Sequence, residues 1–442
     1  MLRQQGICAT GPDIRVLAMT LSVALNQPRP EAPPAFMHYA GLLVESAFQP
    51  IVSLTHQRIV GYEALVRPSQ HNVAVSPGLL FNAAERQQQA HWLDGQLRRL
   101  HVENFCQHRR PTWLFLNVST ASIGAQRLDV DTLARQVRQQ GLSTSQVVLE
   151  VVEEPARNER RLAEFVNAVR EQGFRIAIDD FGAGDSNFER VWRLEPHIVK
   201  FDRAMVVNAV RNRRARHLLS SLVRLIRESG CLVLIEGVED YEQAAIALDT
   251  EADMFQGYFF GRPAPLHANT DSDARQEESL GLFDRQYRQA AWLQTQPHED
   301  FLKLLRYELL AACHELARNA PLPSACAGLV DLPGIARCFL LDNRGVQQGE
   351  VFSRRIPGLQ EAPFNPLYHS SGACWSHRDY FRKAMDNPSQ MHVSRPYVAL
   401  PDAERTVTLS VYTYTAMGNQ VLCVDLHPDR IFEGQLELPS TL

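Results

Sequence analysis

The feature that most limits what this chain can fold into is a series of short apolar runs alternating with helical stretches between about residues 40 and 265. Eight runs read as strands. They are "VESAFQPIV" (44–52), "RIVGYEALVR" (58–67), "TWLFLNVS" (112–119), "QVVLEVVEE" (146–154), "FRIAIDDF" (174–181), "HIVKFD" (197–202), "CLVLIEGVE" (231–239) and "MFQGYFFG" (254–261). Most are apolar on both faces, as strands of a parallel sheet covered by helices must be. Between them lie helical patterns such as "ERRLAEFVNAVREQG" (159–173) and "RRARHLLSSLVRLIRESG" (213–230), each ending on a glycine where a helix C-terminus favours one. Strands alternating with helical crossovers predict an α/β chain folded as a (β/α)8 TIM-like barrel. One junction departs from that plan. Only "SLTHQ" (53–57) joins the first two strands, too little for a right-handed crossover, so the first strand is expected to be antiparallel.

Composition narrows the class. The 442 residues carry a formal net charge of -5 with 21% charged residues, which argues against a polybasic nucleic-acid binder or a disordered tail. The eight cysteines are scattered with no CxxC pair, as in a reducing compartment rather than a disulfide or zinc framework. The apolar segment "IRVLAMTLSVAL" (14–25) is too short to span a bilayer, for which roughly 20 residues are needed. It reads as part of a poorly ordered N-terminal extension, residues 1–38, rather than as a signal peptide. The expected protein is cytoplasmic, with no membrane span and no nucleic-acid partner.

Polar residues fall at or near the C-terminal ends of the second to eighth strands: Glu63, Asn117, Glu150, Asp179 with Asp180, Lys200, Glu236 and Gln256. In a barrel those ends converge on one mouth, where activity resides. A lone acidic residue at a strand end is ordinarily a solvated loop position; seven consecutive strands sharing the habit are not. Carboxylates gathered at low effective dielectric repel by several kcal/mol, so a positive charge belongs among them. All-oxygen ligands favour Mg2+ or Mn2+ over zinc. The adjacent Asp179 and Asp180 suit two ions about 3.5–4 Å apart, one carboxylate bridging them, an arrangement that polarises a phosphodiester and generates hydroxide. Lys200 would orient the water or neutralise developing charge.

These residues also resemble a known family. "EALVR" (63–67) matches the signature of the EAL family of cyclic di-GMP phosphodiesterases, followed in order by "FLNVS", "LEVVEE", "AIDDFGAG", "VKFD", "IEGVE" and "FQGYFFGRP" over residues 40 to 265. The resemblance implies the EAL fold and hydrolysis of cyclic di-GMP to linear pGpG with two Mg2+ or Mn2+ ions. It implies that Glu63, Asn117, Glu150 and Asp179 ligate one ion, and that Asp179, Asp180 and Glu236 serve the other. Lys200 would hold the nucleophilic water, Gln256 a metal-bound water, Arg67 a phosphate of the nucleotide, and Asp202 would lie near the nucleotide. Glu153 would fix the loop after the fifth strand, and Glu239 would act in support. The sequence departs from the family at Ala183, Asp185, Val152, His197 and Phe201, none of them an expected ligand; the departures bear on loop 181–188. A receptor that binds the nucleotide without cutting it is the competing class, but such members typically lose a metal carboxylate or the first glutamate of the signature.

After the barrel, expected over 39–266, come a helical linker (267–325) and an α+β domain (326–442). In the linker Leu302, Leu305, Leu309, Ala312 and Leu316 keep a heptad-like spacing, read as one amphipathic helix packed on a domain. The α+β domain loosely resembles a PAS- or Cache-like sensor through "RDYFRKAM", "SRPYVA", "TVTLSVYTY" and "VLCVDL". Tyr380, Arg382, Tyr397 and Asp425 are candidates for a small-molecule pocket there, against an ordinary core role for the aromatics. That module would regulate the barrel, with the chain a homodimer. No GGDEF-like motif is present, so no cyclase activity is expected.

Overall fold

Eight apolar runs become the staves of a closed barrel. The computed structural model describes residues 34–442 apart from 109, 120–122, 124–128, 153–158, 184–187, 267–270, 355–368, 401–402, 416–417, 433–437, 440 and 442. The apolar segment 14–25 therefore lies outside the described residues. The chain divides into two units, Met1–Tyr287 and Arg288–Leu442. No helix among the described residues is long and apolar enough to cross a membrane.

The first unit contains β1 (Met37–Tyr39), β2 (Leu42–Ser53), β3 (Arg58–Gln70), β4 (Val73–Ala74), β5 (Trp113–Val118), β6 (Val147–Val152), β7 (Arg175–Phe181), β8 (Ile198–Phe201), β9 (Leu232–Ile235) and β10 (Met254–Gln256). Strands β3, β5, β6, β7, β8, β9 and β10 run parallel in that order, and β2 closes the ring by pairing antiparallel with both β3 and β10. The short link after β2 is the cause: Ser53 pairs directly with Arg58, leaving no room for a crossover helix. The short β1 and β4 pair antiparallel with the start of β2 and the end of β3.

Strand alternation sorts the side chains into layers. One apolar layer fills the barrel with Ile51, Phe115, Val148, Ala177, Ile198, Leu234 and Met254, all buried. Gly61 completes it on β3 by having no side chain, since a Cβ there would lie 2.8 Å from the Phe115 ring. The alternate residues, such as Leu114, Leu149, Ile178 and Val199, face outward into a second core beneath the helices. Helix Arg213–Glu228 shows how the sequence builds that cover. Asn212 Oδ1 caps it by accepting from the amides of Arg214 (2.8 Å) and Ala215 (3.3 Å), and Leu219, Val223 and Ile226 form its buried stripe. Gly230, at φ +90, ends it in the left-handed conformation that glycine adopts freely.

The second unit is an antiparallel sheet with strand order β12-β11-β16-β15-β13. Its strands are β11 (Ile335–Asp342), β12 (Gln347–Phe352), β13 (Met391–Val393), β14 (Tyr397–Ala399), β15 (Glu404–Thr415) and β16 (Gly418–Leu426), with β14 paired to β15. Helix Asp271–Ala317 begins in the first unit and continues into the second. There Leu305, Leu309, Ala312 and Leu316 are buried against one face of the sheet, with Leu302 partly covered, so the heptad-like spacing marks a packed amphipathic helix. Helix Asp379–Asp386 packs Tyr380, Phe381 and Ala384 on the other face, against Phe339, Leu341, Val421 and Cys423.

One buried titratable group outside the mouth yields a pH prediction. His101 is buried, with its Nδ1 2.8 Å from Ser46 Oγ, and burial, aided by the Arg98 charge, lowers its pKa to about 4. The unfolded chain, with an ordinary value near 6.5, then binds more protons between about pH 6.5 and 4. His101 therefore costs no stability above about pH 6.5 and destabilises the fold progressively below it, by about 3 kcal/mol at full protonation. Urea midpoints measured across this range should fall less steeply with acidity in His101→Gln than in the parent. Equal slopes would contradict the assignment.

Candidate active site

The inward positions one step beyond the apolar layer, toward the C-terminal strand ends, are polar all round. They are Glu63 on β3, Asn117 on β5, Glu150 on β6, Asp179 on β7, Lys200 on β8, Glu236 just after β9 and Gln256 on β10. Each lies two residues after an inward apolar residue or Gly61, the step that returns a strand to the same face. The eighth place belongs to Gln49 on β2, which the sequence reading did not select. Because β2 runs the other way, its polar residue precedes the inward Ile51 instead of following it. Gln49 stands opposite Glu63 in the register, and its Oε1 accepts from Gln256 Nε2 (3.2 Å).

The paired aspartates need a further device, since neighbouring strand residues point to opposite faces. The β7–β8 register breaks between Ile178 and Phe181, and Asp180 takes φ +57. This left-handed conformation, tolerated better by aspartate than by most residues, returns the second carboxylate to the mouth. Oxygens of Asp179, Asp180 and Glu236 consequently lie within 4.8 Å of one another. Gly257 contributes by close approach. A Cβ there would sit 2.0 Å from the Val238 carbonyl oxygen, and without one the Val238 amide donates to the Gln256 carbonyl (3.1 Å), tying the ends of β9 and β10 together.

Lys200 stands at the centre, 1% exposed. Its Nζ lies 2.6 Å from Glu150 Oε1, 2.6 Å from Glu236 Oε1, 2.9 Å from Asp179 Oδ1 and 3.9 Å from Glu63 Oε2. Glu63 is held from both sides, by Gln256 Nε2 (2.6 Å) and Asn117 Nδ2 (3.2 Å). Burial alone would lower the Lys200 pKa, but Asp179, Glu150, Glu236 and Glu63 outweigh it and hold the ammonium well above its ordinary value. Burial drives Glu150 well above the usual carboxylate range, against the opposing pull of Lys200. Burial also pushes Glu236 up to about 8, and raises Asp180 with help from the Asp179 charge.

The donor set fits hard divalent cations. Five carboxylates, Glu63, Glu150, Asp179, Asp180 and Glu236, face a single ammonium. Glu150 is fully buried, and while the Lys200 ammonium meets its Oε1 at 2.6 Å, its Oε2 has no hydrogen-bond partner; Gln256 Oε1 is likewise buried without a donor. Buried acceptors of this kind are costly unless something positive meets them. Oxygen-only ligands favour Mg2+ or Mn2+.

The remaining candidates are distributed differently. Asp202 Oδ1 accepts from the Ala204 amide (2.8 Å) and caps helix Arg203–Arg211. Glu239 pairs with Arg203 (2.8 Å), and Arg67 Nη1 donates to the Val66 carbonyl (2.9 Å). Glu153 and residues 184–187 of loop 181–188 lie outside the described residues. Of the positions where the sequence departs from the family, His197 accepts from the Ile176 amide through Nδ1 (3.1 Å), and Phe201 stacks on Phe181 with centroids 5.3 Å apart. Both are structural contacts.

A barrel closed by one antiparallel strand, with this ring at its mouth, is the architecture of EAL proteins, and the EAL domain model matches residues 42–263, half of the chain. The chain belongs to the EAL domain family. Among its relatives is the cyclic di-GMP phosphodiesterase NbdA of Pseudomonas aeruginosa, 29% identical over 237 residues, covering 51% of this chain and 29% of NbdA. The cyclic di-GMP phosphodiesterase RocR of the same organism is 27% identical over 232 residues, covering 50% of this chain and 57% of RocR. The matches thus span well under two thirds of these relatives' length. The structure of the Bacillus subtilis YkuI protein, which has an EAL domain and was solved with cyclic di-GMP and calcium, shares the fold. It shows a TM-score of 0.69 at 23% identity, covering 87% of this chain and 96% of that one.

The charge balance generates a test. Replacing Lys200 by methionine leaves buried carboxylates without their cation, and should destabilise the metal-free barrel by about 3–5 kcal/mol. In urea titrations, millimolar Mn2+ should restore more stability to the variant than to the parent. An equal loss with and without Mn2+ would argue against a cation site.

Proposed function

We propose that the barrel hydrolyses cyclic di-GMP to linear pGpG with two Mg2+ or Mn2+ ions. The observation that carries this reading is the ring of five carboxylates around one buried lysine, with Glu150 fully buried and its Oε2 without a hydrogen-bond partner. The relatives' names supply the substrate class. In this reading Glu63, Asn117, Glu150 and Asp179 hold one ion, and Asp179, Asp180 and Glu236 hold the other. Bound divalent ions polarise the phosphodiester and lower the pKa of water. The side chains do the rest. Lys200, kept charged by its carboxylate neighbours, orients the attacking water and offsets negative charge developing on the phosphoryl oxygens. Gln256 and Asn117 hold Glu63 between them. Water adds across one P–O3′ bond, leaving a 5′-phosphate on one nucleoside and a free 3′-hydroxyl on the other.

Around this centre, Arg67 and Asp202 are assigned to the nucleotide, Gln256 also to a metal-bound water, Glu153 to the neighbouring loop and Glu239 to support. The proposed domain division is a barrel over 39–266, a helical linker over 267–325 and a PAS/Cache-like sensor over 326–442 that regulates turnover. The proposed protein is a cytoplasmic homodimer.

Chromatography of reaction products is the direct assay. pGpG should appear with Mg2+ or Mn2+ and cease with EDTA. Glu63→Ala and Lys200→Ala, checked for folding by circular dichroism, should each lose at least about a hundredfold in kcat. Saturable binding of cyclic di-GMP by the parent without turnover would favour the receptor reading instead.

A further inference from the structure

The second unit holds a guanidinium with no anion. Arg378 follows the turn that starts at Trp375, where the Arg378 amide donates to the Trp375 carbonyl (2.9 Å). Its guanidinium carbon lies 5.9 Å from the Trp375 ring centroid and 5.1 Å from that of Tyr397 on β14. Its Nε is buried and has no hydrogen-bond partner. Among the described residues the guanidinium meets no carboxylate. Arg382, one turn further on and the residue favoured by sequence, is exposed instead.

The surroundings are fixed and already satisfied. Trp375 Nε1 donates to Gln347 Oε1 (3.2 Å), and Gln347 Nε2 donates to Ser370 Oγ (3.0 Å), which holds the indole in place. The Tyr397 hydroxyl lies 2.7 Å from Thr408 Oγ1, which donates to Asp425 Oδ1 (2.7 Å). Asp425 Oδ2 accepts from Arg337 Nε (2.7 Å). The buried carboxylate of this face is therefore taken by Arg337 and Thr408 and does not serve Arg378. Arg378 also occupies the N-cap of helix Asp379–Asp386, which has no side-chain cap, so amides of its first turn lack that partner too.

A planar guanidinium beside two aromatic rings, with an unmet donor, suits a planar anion taken by parallel hydrogen bonds. We propose that the second unit binds a small organic carboxylate at Arg378, beside Trp375 and Tyr397. This goes beyond the hydrolase reading and does not rest on it, since it concerns no residue of the barrel mouth.

The test is calorimetric titration of the full chain with acetate, succinate and inorganic phosphate at constant ionic strength, repeated on Arg378→Gln and Arg378→Lys. Saturable binding of a carboxylate is expected, weakened at least about tenfold in both variants, because lysine keeps the charge but not the planar fork. The melting temperature of Arg378→Gln without ligand should be unchanged or raised, as an unmet buried donor is removed. Absence of saturable carboxylate binding to the parent, binding of phosphate alone, or equal affinity in Arg378→Gln would each overturn the assignment.

Discussion

One buried ammonium among five carboxylates is the constraint on which the barrel mouth turns. Fully buried charges are tolerated only when paired, and Lys200 is surrounded on every side by oxygens of Glu150, Asp179, Glu236 and, further off, Glu63. The pairing is incomplete in the opposite sense. The carboxylates outnumber the ammonium, so the cluster carries excess negative charge in a low dielectric. Raised pKa values at Glu150, Glu236 and Asp180 are the response of that excess to burial. A site with these properties is held together by its scaffold, not by its own electrostatics. That explains the fully packed apolar layer directly beneath it.

Much of this scaffold was legible because two periodicities coincide. Largely apolar runs of six to ten residues marked the strands, and the five residues of "SLTHQ" foretold the antiparallel β2. Polar residues at successive strand ends then marked the mouth. Gln49 escaped because the same period runs backward on an antiparallel strand, placing the polar residue before the apolar one. The convergence of Asp179 and Asp180 was read from their adjacency, but the backbone device that produces it was not. Alternation would send Asp180 outward, and only a register break with φ +57 brings it back. Neither a bulge nor a left-handed residue leaves a periodic trace.

The second unit shows the same limit. Its α+β character was read from the sequence, and the helix over 302–316 from its spacing. Which side chains meet across the sheet was not. Asp425 finds Arg337 from a neighbouring strand and Thr408 from another, while Arg378 rather than Arg382 turns toward Tyr397. Both arginines lie on the same short segment, and four residues decide which one is enclosed. Asp202 is a milder case. A carboxylate beside a catalytic lysine invites a substrate role, yet its visible work is to cap the helix that follows.

Reversal of β2 has a topological consequence. In a barrel of eight parallel strands the polypeptide enters at the end remote from the reaction centre. Here Leu43 pairs with Ser69, beyond Glu63 toward the C-terminal end of β3, so the chain arrives at the working rim. The hairpin that β1 makes with the start of β2, with Met37 opposite Val44, therefore stands on the same rim, within a strand's length of the carboxylate ring.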